Sequence, residues 1–363
     1  MVELERDWSG TFGLRFSRTL PLIVTSHAKL AALALKKPVS LLSLNSGGSV
    51  KADLRKKHLR AQKPTTPANL TRSHALSYRA TVSRVREAVI NSVRSNVTNG
   101  AALLLSGGID STILAAVANH LGVRLRTFTF ALLDPPRPEQ GLSSDRLCAE
   151  EAASHYGHSH RTILITRDSL LENLPLAIYL AETPRGTIVD ELPAHIEMAR
   201  FFSARGIRCV LTGEGADDLF GAFPFALRYY QGRELKAFLQ KELVRGLPDE
   251  LAILQNVYSP WGVSLVHPYW TEELRWLGFS LPLRYRVDDK RLMKRVLRDA
   301  FSDLLPNHLL MRPKGVPRDC AQIRTVLERV FGAAPNRYHP ILGKMMKRRS
   351  RWPKEVLHTL QHR

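Results

Sequence analysis

The chain has 363 residues, 44% of them hydrophobic and 24% charged, which is enough apolar material for a sizeable core and excludes wholesale disorder. No run of about 18 charge-free apolar residues occurs, and Glu3, Glu5 and Asp7 stand where a secretory leader would begin, so neither a membrane-spanning helix nor a leader is expected. The net charge of +20 is concentrated at the ends, with 13 basic and 4 acidic residues in 1–75 and 7 basic and 1 acidic in 340–363.

Taken in chain order, residues 1–75 form a basic N-terminal extension and linker. Thr11–Val24 has strand character and Ser26–Lys37 helical character, while Asn45–Pro67, rich in Ser, Gly, Lys, Thr and Pro, is predicted to be a linker. Val82, Val85, Val89 and Val93 then recur at helical spacing. Ala101–Leu105 is a short apolar run, as in a strand buried on both faces. A helix over Ser111–Leu121 ends at Gly122, and strands are predicted at Arg126–Leu132 and Arg161–Ile165 with a helix over Ser144–Tyr156 between them. Helices around Leu170–Leu180 and Ala194–Ala204 lead to a fourth strand, Ile207–Thr212. Beyond Gly221 the pattern is mainly helical, through Leu292–Leu305, to a loop at Arg312-Pro313-Lys314-Gly315. Alternating strands and helices give an α/β fold with a doubly wound, mostly parallel sheet and a helical C-terminal part. The expected division is the extension (1–75), a catalytic body (76–339) and a basic C-terminal tail (340–363).

Two turns carry chemistry. Leu104-Leu105-Ser106-Gly107-Gly108-Ile109-Asp110-Ser111 lies where a buried strand becomes a helix, the place where open parallel sheets bind ligands. Paired glycines allow close backbone approach, and the N–H groups of the helix start favour an anion. Ser106 and Ser111 add hydroxyl donors, and Asp110 suits a divalent cation that would itself meet phosphate. A plain Gly-Gly turn with a Ser/Asp cap satisfies the glycines equally well. The second turn, Thr212-Gly213-Glu214-Gly215-Ala216-Asp217-Asp218-Leu219-Phe220-Gly221, places three acids within five residues after another buried strand. It is either an exposed acidic loop or a second metal-binding wall.

The first string resembles the Ser-Gly-Gly-x-Asp-Ser pyrophosphate loop of the N-type ATP pyrophosphatases, whose fold is that of the PP-loop, adenine nucleotide alpha hydrolase-like proteins. With the second string, residues 76–320 resemble the synthetase domain of asparagine synthetases. The resemblance implies that ATP is bound by Leu104, Ser106, Gly107, Gly108, Asp110, Ser111, Phe130, Thr212 and Gly213. It further implies Mg²⁺ held by Asp110 and Asp217, Glu214 beside an acyl-adenylate, and Lys314, in a segment like the family's Arg-x-Lys, offsetting developing negative charge. The activity so implied is an ATP-dependent, AMP-forming carbon–nitrogen ligase that adenylates a carboxylic acid and passes the acyl group to ammonia or an amine, in secondary metabolism or peptide modification.

Three departures qualify the resemblance. Val2 stands where family members expose a glutaminase cysteine, so nitrogen is expected from ammonia, from an amine, or from a separate glutaminase subunit. Val189 replaces an arginine that helps bind aspartate, which makes aspartate an unexpected substrate. Asp218 replaces the usual Glu. The competing readings are a tRNA-modifying PP-loop enzyme, whose basic ends would grip RNA, and an inactive scaffold that binds a peptide or acidic partner. Neither end interleaves aromatics with its Lys and Arg, so nucleic acid is not the expected partner. Cys148, Cys209 and Cys320 lie too far apart for a disulfide framework, and a reducing cytoplasm is the expected location.

Overall fold

The structure is a computed structural model; it describes residues 76–136, 144–221, 229–230, 232–241, 246–287, 293–312, 322–334 and 336–341, together with six short strands within residues 2–62. Two compact units emerge, one comprising Met1–Val85, Gly215–Gln255 and Tyr269–Val296, the other Arg86–Glu214, Asn256–Pro268 and Leu297–Arg363.

In the first unit, β1 (Val2–Glu5), β2 (Arg15–Ser17), β3 (Val24–Thr25), β4 (Leu41–Ser43), β5 (Ser49–Asp53) and β6 (His58–Gln62) form two antiparallel three-stranded sheets, ordered β1-β5-β6 and β3-β2-β4. The strand character of Thr11–Val24 is met by β2 and the start of β3, whereas Ser26–Lys37 lies outside the described residues. The predicted linker is corrected, because β5 and β6 pair inside it. Their register sets Val50 opposite Ala61 and Ala52 opposite Leu59. That two-residue alternation is a strand signal that basic, Ser/Gly-rich composition conceals.

The second unit holds a five-stranded sheet. After α1 (Tyr78–Asn96), the chain runs through β7 (Ala102–Leu104), α2 (Ile109–His120), β8 (Arg126–Leu132), α3 (Ser144–His155), β9 (Ser159–Ile165), α4 (Arg167–Ala181), α5 (Gly186–Val189), α6 (Leu192–Ala204) and β10 (Cys209–Leu211). The chain then alternates between the two units through α7 (Ala216–Phe220), α8 (Gly232–Lys241), α9 (Leu247–Tyr258), β11 (Ser264–Val266), α10 (Glu272–Ser280), α11 (Leu283–Arg286), α12 (Arg295–Ala300), α13 (Asn307–Leu310) and α14 (Ile323–Phe331), with residues 215–255 and 269–296 in the first unit and β11, α13 and α14 in the second. The sheet is parallel throughout, in the order β11-β10-β7-β8-β9. The four predicted strands are present; β11 was hidden in sequence because three residues in a mainly helical stretch show no periodicity.

This order places the first strand, β7, beside the fourth, β10, so the sheet changes direction between them. Ligands of doubly wound sheets bind at that crossing, beyond the carboxyl ends of the two strands. Both candidate turns leave from there. Helix α2 is buried on nearly every side, with Ile109 and all residues from Ser111 to Ala118 shielded, so it is a core helix that holds the first turn rigidly. Helix α3 buries Ala149, Ala152 and Ala153, and Tyr156 just after its end continues that stripe at helical spacing.

The C-terminal part of this unit is pinned by a buried carboxylate. Asp190, fully shielded after α5, accepts two bonds from Arg337 Nη2 at 2.7 and 2.6 Å and one from Tyr338 Oη at 2.8 Å. Its neighbour Val189 is also wholly buried. In the other unit, Arg286, 3% exposed, donates to the carbonyls of Asp218, Leu219 and Gly221 at 3.1, 2.7 and 3.2 Å. It thereby satisfies the end of α7, whose last carbonyls have no partner within so short a helix. Burial pulls its pKa down to about 10, against the opposing pull of Asp218. No helix among the described residues is long and apolar enough to cross a membrane.

Candidate functional site

The first turn departs from β7. Leu104 is half-buried and Leu105 fully buried, and the chain then turns at Gly107, whose φ of +71° is the left-handed conformation that suits glycine. A Cβ there would lie 2.6 Å from both the Ala149 nitrogen and the Cys148 Cβ, so the loop is seated against α3 with no room for a side chain. Within the loop the hydroxyls are held in a small network. The Ser111 Oγ accepts from the Ser106 N–H at 3.2 Å and donates to the Gly108 carbonyl at 3.2 Å, while the Gly108 N–H reaches the Ser106 Oγ at 3.3 Å. Gly108 caps α2 without a side-chain bond, and Asp110 lies in the first turn of that helix, where the helix dipole favours an anion. Its Oδ1 is buried.

The second turn meets the first. At Gly213 an added Cβ would come within 3.0 Å of the Ser111 nitrogen and 3.1 Å of the Asp110 Cβ. The bare face of one turn thus lies against the start of the helix that follows the other. Thr212 is buried; its N–H donates to the Val266 carbonyl at 2.9 Å, and its Oγ1 lies 2.7 Å from His267 Nδ1 and accepts from the Glu214 N–H at 3.3 Å. Glu214 is exposed.

On the β8 side, the half-buried Phe130 ring meets His195 edge-on, with centroids 5.7 Å apart. His195 Nδ1 in turn lies 2.8 Å from the Tyr258 hydroxyl. Burial, then the negative charges of Glu191 and Glu214, push the Tyr258 hydroxyl well above the ordinary phenol range. Both carboxylates therefore act electrically on the buried Tyr258 hydroxyl. Nothing in the spacing of His195, Tyr258 or His267 announced these contacts, since each partner is more than fifty residues from the other.

The remaining expected residues lie elsewhere. Asp217 belongs to the other unit, where it forms an ion pair with Lys294 at 2.7 Å. Lys294 is only 3% exposed at the side chain and adopts a φ of +64°, a strained backbone for a lysine. Position 294 falls in the helical stretch predicted through Leu292–Leu305; the chain takes this turn just before α12, so the helix there is shorter than expected. Lys314 lies outside the described residues.

Among the described residues no three His, Cys, Asp or Glu side chains gather into a metal cage. A Mg²⁺ delivered with a nucleotide needs only one or two carboxylates besides phosphate oxygens and water. Asp110, a carboxylate at a helix start beside the cradle that a Gly213 Cβ would fill, fits that demand.

The buried histidines make stability depend on pH. Burial holds both His195 and His267 near pKa 4, whereas an unfolded-chain histidine titrates at about 6.5. The unfolded state therefore binds protons first as pH falls. The contribution is whole above about pH 6.5 and is lost progressively between 6.5 and 4, on the order of 3 kcal/mol per residue at its largest. Urea midpoints should fall steeply from pH 7 to 4.5, and less steeply in His267→Gln. A midpoint constant across that window would contradict the assignment.

The sequence pattern of the family described as asparagine synthase matches residues 81–260 and 231–330. Asparagine synthetase [glutamine-hydrolyzing] 3 of Arabidopsis thaliana is 29% identical over 253 residues, covering 63% of this chain and 41% of the relative. Asparagine synthetase B [glutamine-hydrolyzing] of Escherichia coli K12 is 27% identical over 249 residues, covering 63% and 43%. The chain thus spans about two fifths of the length of the curated relatives it matches. The structure of NMN synthetase from Francisella tularensis aligns over 76% of this chain and 98% of that one, at 15% identity and a TM-score of 0.35.

Proposed function

The chain belongs to the asparagine synthase family, and from that footing we propose that it is an ATP-dependent, AMP-forming ligase that activates a substrate carboxylate and transfers the acyl group to ammonia or an amine. The observation that supports this reading best is the meeting of the two glycine turns at the crossing of the sheet, Gly213 against Asp110 and Ser111. A triphosphate needs such a place: exposed N–H groups at the start of a rigid helix, hydroxyls that can exchange partners, and a carboxylate for its counter-ion.

The roles follow from the chemistry of each group. Leu104, Phe130, Thr212 and Gly213 would hold adenosine, the apolar pair by stacking and contact, the other two partly through the backbone. Ser106 to Ser111 would take the phosphates. Asp110 and Asp217 would hold Mg²⁺, which when bound offsets the charge on the departing pyrophosphate. Lys294 keeps Asp217 compensated within its own unit. Glu214, exposed near the start of the second turn, would stand by the activated acyl group, and Lys314 would supply a compact positive charge as the oxyanion develops. Acid and amine would be those of secondary metabolism or a modified peptide, with aspartate disfavoured by Val189.

The test is a screen for ATP–pyrophosphate exchange against candidate carboxylic acids, with AMP release followed in the presence of ammonium. Exchange with one class of acid, and amide product only when ammonium or an amine is added, is the expected result. Binding of MgATP without exchange for any acid would sink the reading, and robust asparagine formation would overturn the part that rests on Val189.

A further inference from the structure

Arg312 lies far from the phosphate loop in sequence but against it in space, within the same unit. Its Nη1 donates to the Gly107 carbonyl at 2.6 Å, and its Nη2 to Asp145 Oδ1 at 2.5 Å. Both side chains are largely shielded, 12% and 13% exposed. The Arg312 backbone is fixed as well, since its carbonyl accepts from Arg298 Nη2 at 3.1 Å, and Arg298 is itself buried.

A cation beside a phosphate loop invites the idea that it binds phosphate. The geometry points to a different role: Arg312 is a positioning residue that sets the orientation of the Gly107–Gly108 peptide, and so aims the loop's N–H groups, rather than touching the anion. A peptide unit is planar and trans, so fixing the Gly107 carbonyl toward Arg312 turns the Gly108 N–H the opposite way. Among the described residues that N–H is held by a long contact with the Ser106 Oγ, 3.3 Å, which a stronger acceptor can displace. A carbonyl turned into the loop would repel the anion, so capturing it removes the main competitor of the N–H donors. Asp145 completes the arrangement. It holds the guanidinium in plane at the start of α3, the helix on which Gly107 is seated. Two fork nitrogens, one carbonyl and one carboxylate form a bidentate clamp that a lysine, with a single head group, reproduces only in part.

This inference rests on the proposed nucleotide site but is tested apart from it. Hydrogen–deuterium exchange of the amides at 106–110 is measured in free protein for wild type, Arg312→Ala, Arg312→Lys and Asp145→Asn, together with the dissociation constant for MgATP. Arg312→Ala should speed exchange of the loop amides by about tenfold or more, with those of Ala115 to Ala118 in α2 unchanged. MgATP affinity should fall by a similar factor without added salt dependence, and Arg312→Lys should recover part of both. Asp145→Asn, which keeps the fold if Arg312→Ala does not, should give an intermediate acceleration. Weaker, more salt-sensitive MgATP binding with unchanged loop exchange would show direct phosphate contact and overturn the proposal. If wild-type protein binds no MgATP, the ligase reading fails, while the exchange data in free protein still decide whether Arg312 orders the loop.

Discussion

Replacing Asp110 by asparagine should lower acid-dependent ATP–pyrophosphate exchange by about a hundred- to a thousandfold, the scale for removing one preorganised electrostatic contact to a transition state. The substitution keeps the shape and removes only the charge. Asp110 lies in the first turn of α2, on a backbone clasped between the Ser106–Ser111 network and Gly213, so the loop itself should survive. The helix-terminus interaction that is given up is about 1 kcal/mol, so the unfolding midpoint should move far less than the activity. The check is exchange measured with the acid found by screening, at saturating Mg²⁺, beside the unfolding curve of the same preparation. Undiminished exchange in Asp110→Asn would refute the metal assignment while leaving the fold untouched.

Gly107→Ala should be nearly as damaging, for a steric reason. An alanine at a φ of +71° pays about 1–2 kcal/mol for the left-handed backbone alone. Its Cβ would then overlap the Ala149 nitrogen and the Cys148 Cβ at 2.6 Å, and neither is the loose end of a flexible side chain. The loop or α3 must move, and the Gly107 carbonyl moves with it, away from Arg312. We expect a loss of exchange of a hundredfold or more, and a fall in stability of about 2–4 kcal/mol in urea titrations. Gly122→Ala is the matched control. Its φ is +74°, yet an added Cβ meets nothing within 4 Å, so only the backbone strain applies and activity should persist. Equal activity in the two variants would mean that the loop tolerates displacement.

Much of this was legible in the sequence because it is local. A buried apolar run ending in Ser-Gly-Gly and followed by a helix identifies a strand-turn-helix whatever the rest of the chain does, and β8 falls on the predicted Arg126–Leu132. The two turns could likewise be named residue by residue. What could not be read is pairing at a distance. Arg312 and Gly107 are 205 positions apart, and no period or spacing connects them, although the Arg-Pro-Lys string drew attention to the right neighbourhood. The His195–Tyr258 contact and the Asp217–Lys294 pair are of the same kind. The hairpin of β5 and β6 was missed for another reason: alternation over five residues is a weak signal beside a strongly basic composition.

The burial of Val189 limits what a substitution at that position could do. Writing the arginine that the family resemblance implies into position 189 would set a guanidinium inside packed apolar surroundings next to Asp190, which already accepts from Arg337 and Tyr338. Such a cation is lost to the interior before it can greet a ligand. A new side chain is better placed at the neighbouring Thr187 and Glu191, exposed and half-buried respectively, where it can reach solvent without prying α5 away from its anchor.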